Sequence, residues 1–353
     1  MMNINRLTII GVMSGTSLDG LDIVKCHFIK SKNWDYTIEK GITIKYSDFW
    51  KKTLSNLHLK GEKEIKKINI EYGSFIGNEI NKFISNNNSK IDLIASHGHT
   101  IFHEPEKKLT LQIGDGQTIS NISKCTTVSN FRALDVSLNG QGAPLVPVGD
   151  LHLFSKYKYC LNIGGFANIS IKKNNSIIAY DICPANIILN HISNKIDLDF
   201  DTDGKISASG KIDSQFLKKL NQISFYKKTH PKSLSREWLE KNILSLDEIN
   251  NKKPNDLLAT FCEHIGYQIG NKLKEKSVYV TGGGAHNKFL ISRIKNYSKS
   301  KIIIPDKLNI DYKEAMIFGF LGILKIRKEN NCLKDVTGAI KDSCGGIIHN
   351  PQL

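Results

Sequence analysis

A strand–turn–strand unit occurs twice in this chain, the copies separated by nearly half of its 353 residues, and this repeat constrains the fold most. In the first copy, Leu7 to Met13 (LTIIGVM) reads as a strand, a polar turn follows, and Leu21 to Ile29 returns with partial alternation. In the second, Tyr159 to Ile163 is the strand, Gly164 to Asn168 (GGFAN) the tight turn, and Ile169 to Lys172 the return. Two such hairpins at domain-sized separation predict a duplicated domain with a cleft between the copies. A chain of 353 residues also exceeds one typical core, which again predicts two domains.

The intervening pattern is α/β. Ile65, Ile68, Tyr72, Ile76, Ile80 and Phe83 recur at helical spacing between Glu64 and Ile84. A short buried strand, Ile91 to Ala95, then runs into SHGHT. A second long helix is marked by Leu257, Leu258, Phe261, Ile265, Ile269 and Leu273, followed by a strand from Ser277 to Thr281. Gly282 to Ala285 (GGGA) then turns the chain toward a helix beginning near Asn287. Glu314 is read in the first turn of a late apolar helix.

Composition narrows the function classes. Hydrophobic residues make up 40% and charged residues 24%, as in ordinary globular proteins. No stretch approaches roughly 18 uninterrupted apolar residues, so no transmembrane helix is expected. The N-terminal stretch lacks the apolar run of a signal peptide, and a cytoplasmic protein is expected. The seven cysteines are scattered and never spaced C-x-x-C, against a disulfide framework or a cysteine-based zinc site. The formal charge of +15 comes almost wholly from dispersed lysines. Only five of the 49 basic residues are arginine, the usual base reader and phosphate fork, so no nucleic-acid partner is expected.

Several polar segments are candidates for chemistry. The turn from Ser14 to Asp22 (SGTSLDGLD) is not a Walker A loop, because no Gly-Lys-Ser/Thr follows. Its N–H groups and the hydroxyls of Ser14, Thr16 and Ser17 suit phosphate oxygens, and Asp19 or Asp22 suits magnesium through water. An over-decorated hairpin is the plain alternative. In HGHTIFH, His97 and His99 could share one face, yet no HExxH or carboxylate set accompanies them, which favours hydrogen bonding over metal. The stretch from Asp199 to Gly210 imitates a calcium loop but ends in glycine where the bidentate glutamate belongs, so a polar turn accounts for it better. Asp181, at the end of a strand from Ser176 to Tyr180 in YDICPAN, is a candidate general base, with helix capping as the alternative. Arg132, in NFRALD before GQGAPLVP, is a candidate clamp for a substrate anion, with a structural ion pair as the alternative.

Taken in order, GVMSGTSLDGLD, SHGHT, TLQIGD, NFRALD, GQGAPLVP, NIGGFANIS, YDICPAN, DTDGKISASG, VTGGGAHN, EAM and the tail VTGAIKDSCGG resemble one family. That family is the anhydro-N-acetylmuramic acid kinases, of the actin-like and hexokinase-like ATPase superfamily, and the resemblance covers essentially the whole chain.

The resemblance implies two actin-like (ribonuclease H-like) domains with an interdomain nucleotide cleft. They are expected over 1–130, completed by 314–353, and over 131–313. It implies that ATP and 1,6-anhydro-N-acetylmuramic acid bind and that water attacks C1. The ether then opens and the freed O6 takes the γ-phosphoryl group. The products would be N-acetylmuramic acid 6-phosphate and ADP. Asp181 falls at the family's general base. Gly15, Thr16, Ser17, Leu18, Asp19, Gly20, Leu21 and Asp22 match the ATP phosphate segment, with Asp19 and Asp22 toward Mg2+. Gly164, Gly165 and Asn168 echo that segment, and Gly282, Gly283 and Gly284 match the adenosine-side turn. His97, Arg132, Asn186 and Glu314 fall on the sugar side. A homodimer acting in cell-wall recycling is also implied.

Cys183 and Ala185 stand where the family commonly has glycine, and His99 where it has glutamine. The alternatives are another actin-like sugar or acetate kinase, or a catalytically silent sensor of nucleotide or sugar.

Overall fold

The computed structural model describes residues 5–15, 18–85, 90–173, 176–274 and 276–352. Contacts divide the chain into two units, Met1–Leu153 with Tyr312–Leu353, and Phe154–Asp311.

The first unit is built on β1 (Arg6–Ser14), β2 (Gly20–Lys30), β3 (Trp34–Lys45), β4 (Leu93–Ser96), β7 (Thr127–Ser129) and β13 (Ile347–His349). Its sheet has the order β3-β2-β1-β4-β7-β13. β1, β2 and β3 form an antiparallel meander, whereas β4 runs parallel to β1 and β7 parallel to β4. A separate hairpin pairs β5 (His99–Glu104) with β6 (Leu109–Ile113).

The second unit uses β8 (Tyr159–Ile163), β9 (Phe166–Lys173), β10 (Ser176–Pro184), β11 (Ser277–Thr281) and β12 (Lys301–Ile303) in the order β10-β9-β8-β11-β12. Again three strands form an antiparallel meander, and two more add in parallel beside the first of them. The expected duplication is thus present as one strand order and one direction pattern used twice, the ribonuclease H-like arrangement of actin-like domains.

β1 explains why the first sheet reads as an apolar run rather than an alternation: both its faces are covered. Ile10 and Val12 join Ile68, Tyr72, Ile76 and Ile80 of the helix Glu62–Ile84 in one buried cluster. The opposite face meets the helix Lys307–Ile326, so closely that a methyl at Gly11 would stand 2.1 Å from the Ala315 carbonyl oxygen. In the second unit, Leu257, Leu258, Phe261, Ile265 and Ile269 of the helix Pro254–Gly270 bury against Leu161, Ile163, Val278 and Val280. Pro254 suits a first helical position, where its missing N–H removes nothing.

Three local readings change. β10 extends past Tyr180 to Pro184, so Asp181 stands within the strand, at a bulge. The helix carrying Glu314 starts at Lys307, which places Glu314 in mid-helix; its first turns are polar and hid its beginning. Residues 131–153 group with the first unit, because Asp135 bonds Thr337 and Gly149 packs on Ile317. Among the described residues no helix is long and apolar enough to cross a membrane.

Candidate active site

In the first unit, the end of β1 sits on a buried polar chain. Ser14 is 1% exposed, and its Oγ lies 2.7 Å from the Tyr46 hydroxyl and 2.8 Å from His99 Nδ1. The Tyr46 hydroxyl in turn meets that of Tyr72 at 2.5 Å. Burial pushes the His99 pKa down to about 4, so this chain is neutral at neutral pH and anchors the turn without charge. The Leu18 N–H donates to the Gly15 carbonyl at 3.3 Å, and Leu18 takes φ +60°, a left-handed conformation costly for a non-glycine. Thr16 and Ser17, expected to donate hydroxyls here, lie outside the described residues. Asp19 is exposed, and Asp22 Oδ1 accepts from Thr43 Oγ1 at 2.6 Å. The Leu21 side chain belongs to the core, leaving only its backbone for a ligand.

A second cluster in the same unit joins three residues expected on the sugar side. His97 is buried; its Nδ1 donates to the Gly98 carbonyl at 2.9 Å, and its Nε2 accepts from Arg132 Nε at 2.9 Å. Desolvation, then the neighbouring guanidinium, hold His97 well below its ordinary pKa, in agreement with that neutral tautomer. Arg132 Nη1 donates to the Gly142 carbonyl at 2.7 Å, and the guanidinium lies 5.9 Å from the Phe318 ring. Two of its five N–H groups are thus committed. Glu314 keeps an exposed side chain, but the surrounding protein raises its carboxyl pKa, opposed by Arg132 and Lys313. The cluster can hold an oxygen-rich anionic ligand.

In the second unit the candidates line one edge of the sheet. Register pairs Thr281 with Asn162, Asn162 with Asn168, and Asn168 with Asp181, so the four side chains share one face. Ile182 is the extra residue of the β10 bulge, since Asp181 pairs with Asn168 and Cys183 with the adjacent Ala167. Asp181 Oδ2 accepts from the Leu234 N–H at 2.8 Å. Burial raises its pKa, opposed by that bond and by the charge of Lys232. A carboxylate poised in this way is a better proton acceptor than a solvated one and stays ionised above its pKa. Neither Cys183 nor Ala185 takes a positive φ, and Ala185 stands at φ −130°, ψ −103° before the helix Asn186–Ser193. Cys183 is wholly buried, and its thiol pKa is raised.

The two glycine turns of this unit converge on Asn162 and Asn186. Asn186 Nδ2 donates to the Ile163 carbonyl at 3.0 Å, and a Cβ on Gly283 would lie 3.4 Å from that same nitrogen. Gly282 takes φ +83°, and a Cβ there would lie 2.6 Å from Asn162 Oδ1, so the turn requires glycine. The carbonyls of Gly164 and Gly165 accept from the N–H groups of Ala185, Asn186 and Ile187. These helix-start donors are therefore occupied within the protein. Beside the Gly283 turn opens a cavity of about 370 Å3, walled by Asn186, Asn190, Phe200, Asp203 and His286 among others. Its size is that of a small-molecule site.

Asn186, expected on the sugar side, thus lines the cavity beside the adenosine-side turn. The calcium-like loop contributes to the same wall. Its Asp201 carboxylate accepts from Ile206 N, Ser207 N and Ser207 Oγ, as a helix-capping group. Sequence reasoning passed over Lys232, Phe200 and Asp135. Nothing marks Lys232 in its lysine-rich stretch, whereas Asp135 closes the NFRALD motif that was read for its arginine alone.

No cluster of three or more His, Cys, Asp or Glu able to hold a metal occurs among the described residues. The carboxylates by the turn after β1 are Asp19, exposed, and Asp22, with one oxygen on Thr43, the kind of sparse carboxylate set that Mg2+ uses when it keeps most of its waters and takes phosphate oxygens.

The family model described as anhydro-N-acetylmuramic acid kinase matches residues 7–351. A protein of that name from gamma-proteobacterium EBAC31A08 is 32% identical, over 96% of this chain and 97% of its own. Relatives of the same name from Aliivibrio fischeri and Sulfurimonas denitrificans are 33% and 31% identical, each over 96% of this chain and 98% of theirs. Among solved structures, the activator of the 2-hydroxyisocaproyl-CoA dehydratase from Clostridium difficile with bound ADPNP aligns over 91% of this chain and 96% of its own. That alignment has a TM-score of 0.47 at 14% identity.

Proposed function

We infer the chemistry from one premise: this chain belongs to the anhydro-N-acetylmuramic acid kinase family. It is an ATP-dependent kinase of 1,6-anhydro-N-acetylmuramic acid. The other-acceptor kinase and the silent sensor are not favoured by the names its relatives carry.

The residue roles are our proposal, and the observation that carries them is Asp181, half-buried at the β10 bulge in line with Asn168 and Asn162. Asp181 takes a proton from the water that attacks C1 of the sugar. The Leu234 N–H holds one carboxylate oxygen in place, and burial raises the basicity of the other. As the C1–O6 bond breaks, O6 becomes the nucleophile toward the γ-phosphorus. The sum is one water and one phosphoryl group added to the sugar, with ADP and a proton released.

Arg132, set by His97 and the Gly142 carbonyl, clamps an oxygen of the sugar, and Glu314 accepts from a sugar hydroxyl. Gly15 to Asp22 hold the phosphates on a turn whose root, Ser14, is fixed by Tyr46 and His99. The cavity beside Gly283 suits the adenosine, walled by Phe200 on one element and His286 on another. Gly164, Gly165 and Asn168 lie toward the phosphate chain. Asp19 and Asp22 would hold Mg2+, directly or through water, and Mg2+ supplies charge neutralisation on the phosphates when bound. Transfer of a phosphoryl group depends mainly on such positioning and electrostatics. The reading also places the enzyme in the cytoplasm, as a homodimer serving cell-wall recycling.

The test is incubation of the purified protein with MgATP and the anhydro sugar, with product mass read directly. One ADP per sugar phosphate, and no turnover of acetate or of sugars without the anhydro ring, is the expected result. Turnover of those acceptors with the anhydro sugar inert would overturn the assignment.

A further inference from the structure

Arg132 is oriented by two acceptors, and one of them, the Gly142 carbonyl, stands on a loop with no regular structure of its own. A second side chain holds that loop from its N–H side. Asp135 is wholly buried, and one carboxylate oxygen accepts from the Gly142 N–H at 2.8 Å. Its other oxygen accepts from Thr337 Oγ1 at 2.8 Å. Its backbone carbonyl takes the Gly140 N–H at 2.9 Å. A Cβ on Gly140 would lie 2.1 Å from the carboxylate, so the chain passes too close for any side chain.

The C-terminal tail closes the loop from the other side. Gln141 N–H donates to the Thr337 carbonyl at 2.8 Å, and Ile340 N–H to the Leu138 carbonyl at 3.1 Å. Asp135 is therefore a side chain bonded to both the arginine loop and the tail, which these two backbone bonds also join. Burial lowers the Arg132 pKa, opposed by Glu314 and Cys332.

We propose that Asp135 is a positioning residue for sugar binding: by fixing Gly142 and the tail, it aims the Arg132 guanidinium. This rests on the reading of Arg132 as a sugar ligand. It also gives the tail motif around Thr337 a task, that of a buttress acting through Asp135. The action is geometric, so a neutral isostere serves. An asparagine can accept from the Gly142 N–H through its oxygen and donate to Thr337 Oγ1 through its nitrogen.

Steady-state kinetics with both substrates varied test the proposal. Asp135→Ala is expected to raise KM for the anhydro sugar by about tenfold or more, because two buried hydrogen bonds to the loop and tail are lost. KM for ATP stays within about twofold, and Asp135→Asn restores most of the sugar affinity. Arg132→Ala serves as the reference. If it raises the sugar KM while Asp135→Ala does not, the positioning role is overturned and the Arg132 reading stands. If Arg132→Ala leaves the sugar KM unchanged, the Arg132 reading fails first. Equal loss toward both substrates in Asp135→Ala, or failure of Asp135→Asn to rescue, also overturns the proposal. Should Asp135→Ala not fold, Thr337→Val removes one bond to the carboxylate. That variant must raise the sugar KM a few-fold with ATP KM unchanged; no change overturns the proposal.

Discussion

Replacing Asp181 by asparagine separates base catalysis from every other contribution the residue makes. The amide oxygen can keep the 2.8 Å bond from the Leu234 N–H, so the side chain stays in place while the proton-accepting oxygen is lost. Positioned general-base catalysis is worth about 100- to 10,000-fold, or roughly 3 to 5 kcal/mol of barrier. The turnover number should fall by that factor. Stability should move the other way. The folded-state pKa of Asp181 is raised by burial, so its ionised form costs stability at neutral pH, and the amide removes that cost. The variant should therefore melt at or above the parent's temperature and bind ATP with parental affinity. ADP release at saturating substrates, calorimetric ATP binding and thermal melting are the three readouts. Turnover within tenfold of the parent, with binding and melting intact, would refute the base role.

Lys232 lowers the Asp181 pKa, so Lys232→Met should move the acid limb of kcat/KM to higher pH; an unmoved or lowered limb counts against the coupling. Gly283 stands at the cavity wall, and an added Cβ would meet only Asn186 Nδ2, at an ordinary contact distance of 3.4 Å, so Gly283→Val should raise the ATP KM about tenfold or more with little change in melting temperature. Equal ATP KM values would remove the nucleotide from that cavity. His99 titrates near 4 in the folded state against about 6.5 unfolded, so its contribution is complete above pH 6.5 and is lost as the pH falls toward 4. That loss is about 3 kcal/mol by pH 4, and urea unfolding across this range should show a slope that His99→Gln flattens.

The sequence made the meanders visible where burial is uneven or turns are glycine-rich. β8 and β11 run from Tyr159 to Ile163 and from Ser277 to Thr281, as the apolar runs between polar turns predict. β3 escaped notice because Trp34–Lys45 mixes charged residues with only Trp34 and Ile38 buried, the mark of an edge strand with little core to contribute. Asp181 could be singled out by type, but its bulge could not, since a bulge is set by register across to Asn168 rather than by local composition. The pairing of His97 with Arg132 was equally hidden: 35 residues separate them, and only the parallel crossing from β4 to β7 brings them together. Asp135 was hidden for the same reason, its partner Thr337 lying 202 residues away.

The central claim is that one enzyme opens the anhydro ring with water and phosphorylates the freed oxygen. It is tested most directly by running the reaction with MgATP in oxygen-18 water and locating the label by mass spectrometry. The account predicts a sugar 6-phosphate with one solvent oxygen at C1 and unlabelled phosphate oxygens. A phosphosugar without label at C1, or label appearing in free inorganic phosphate in place of sugar product, would contradict it.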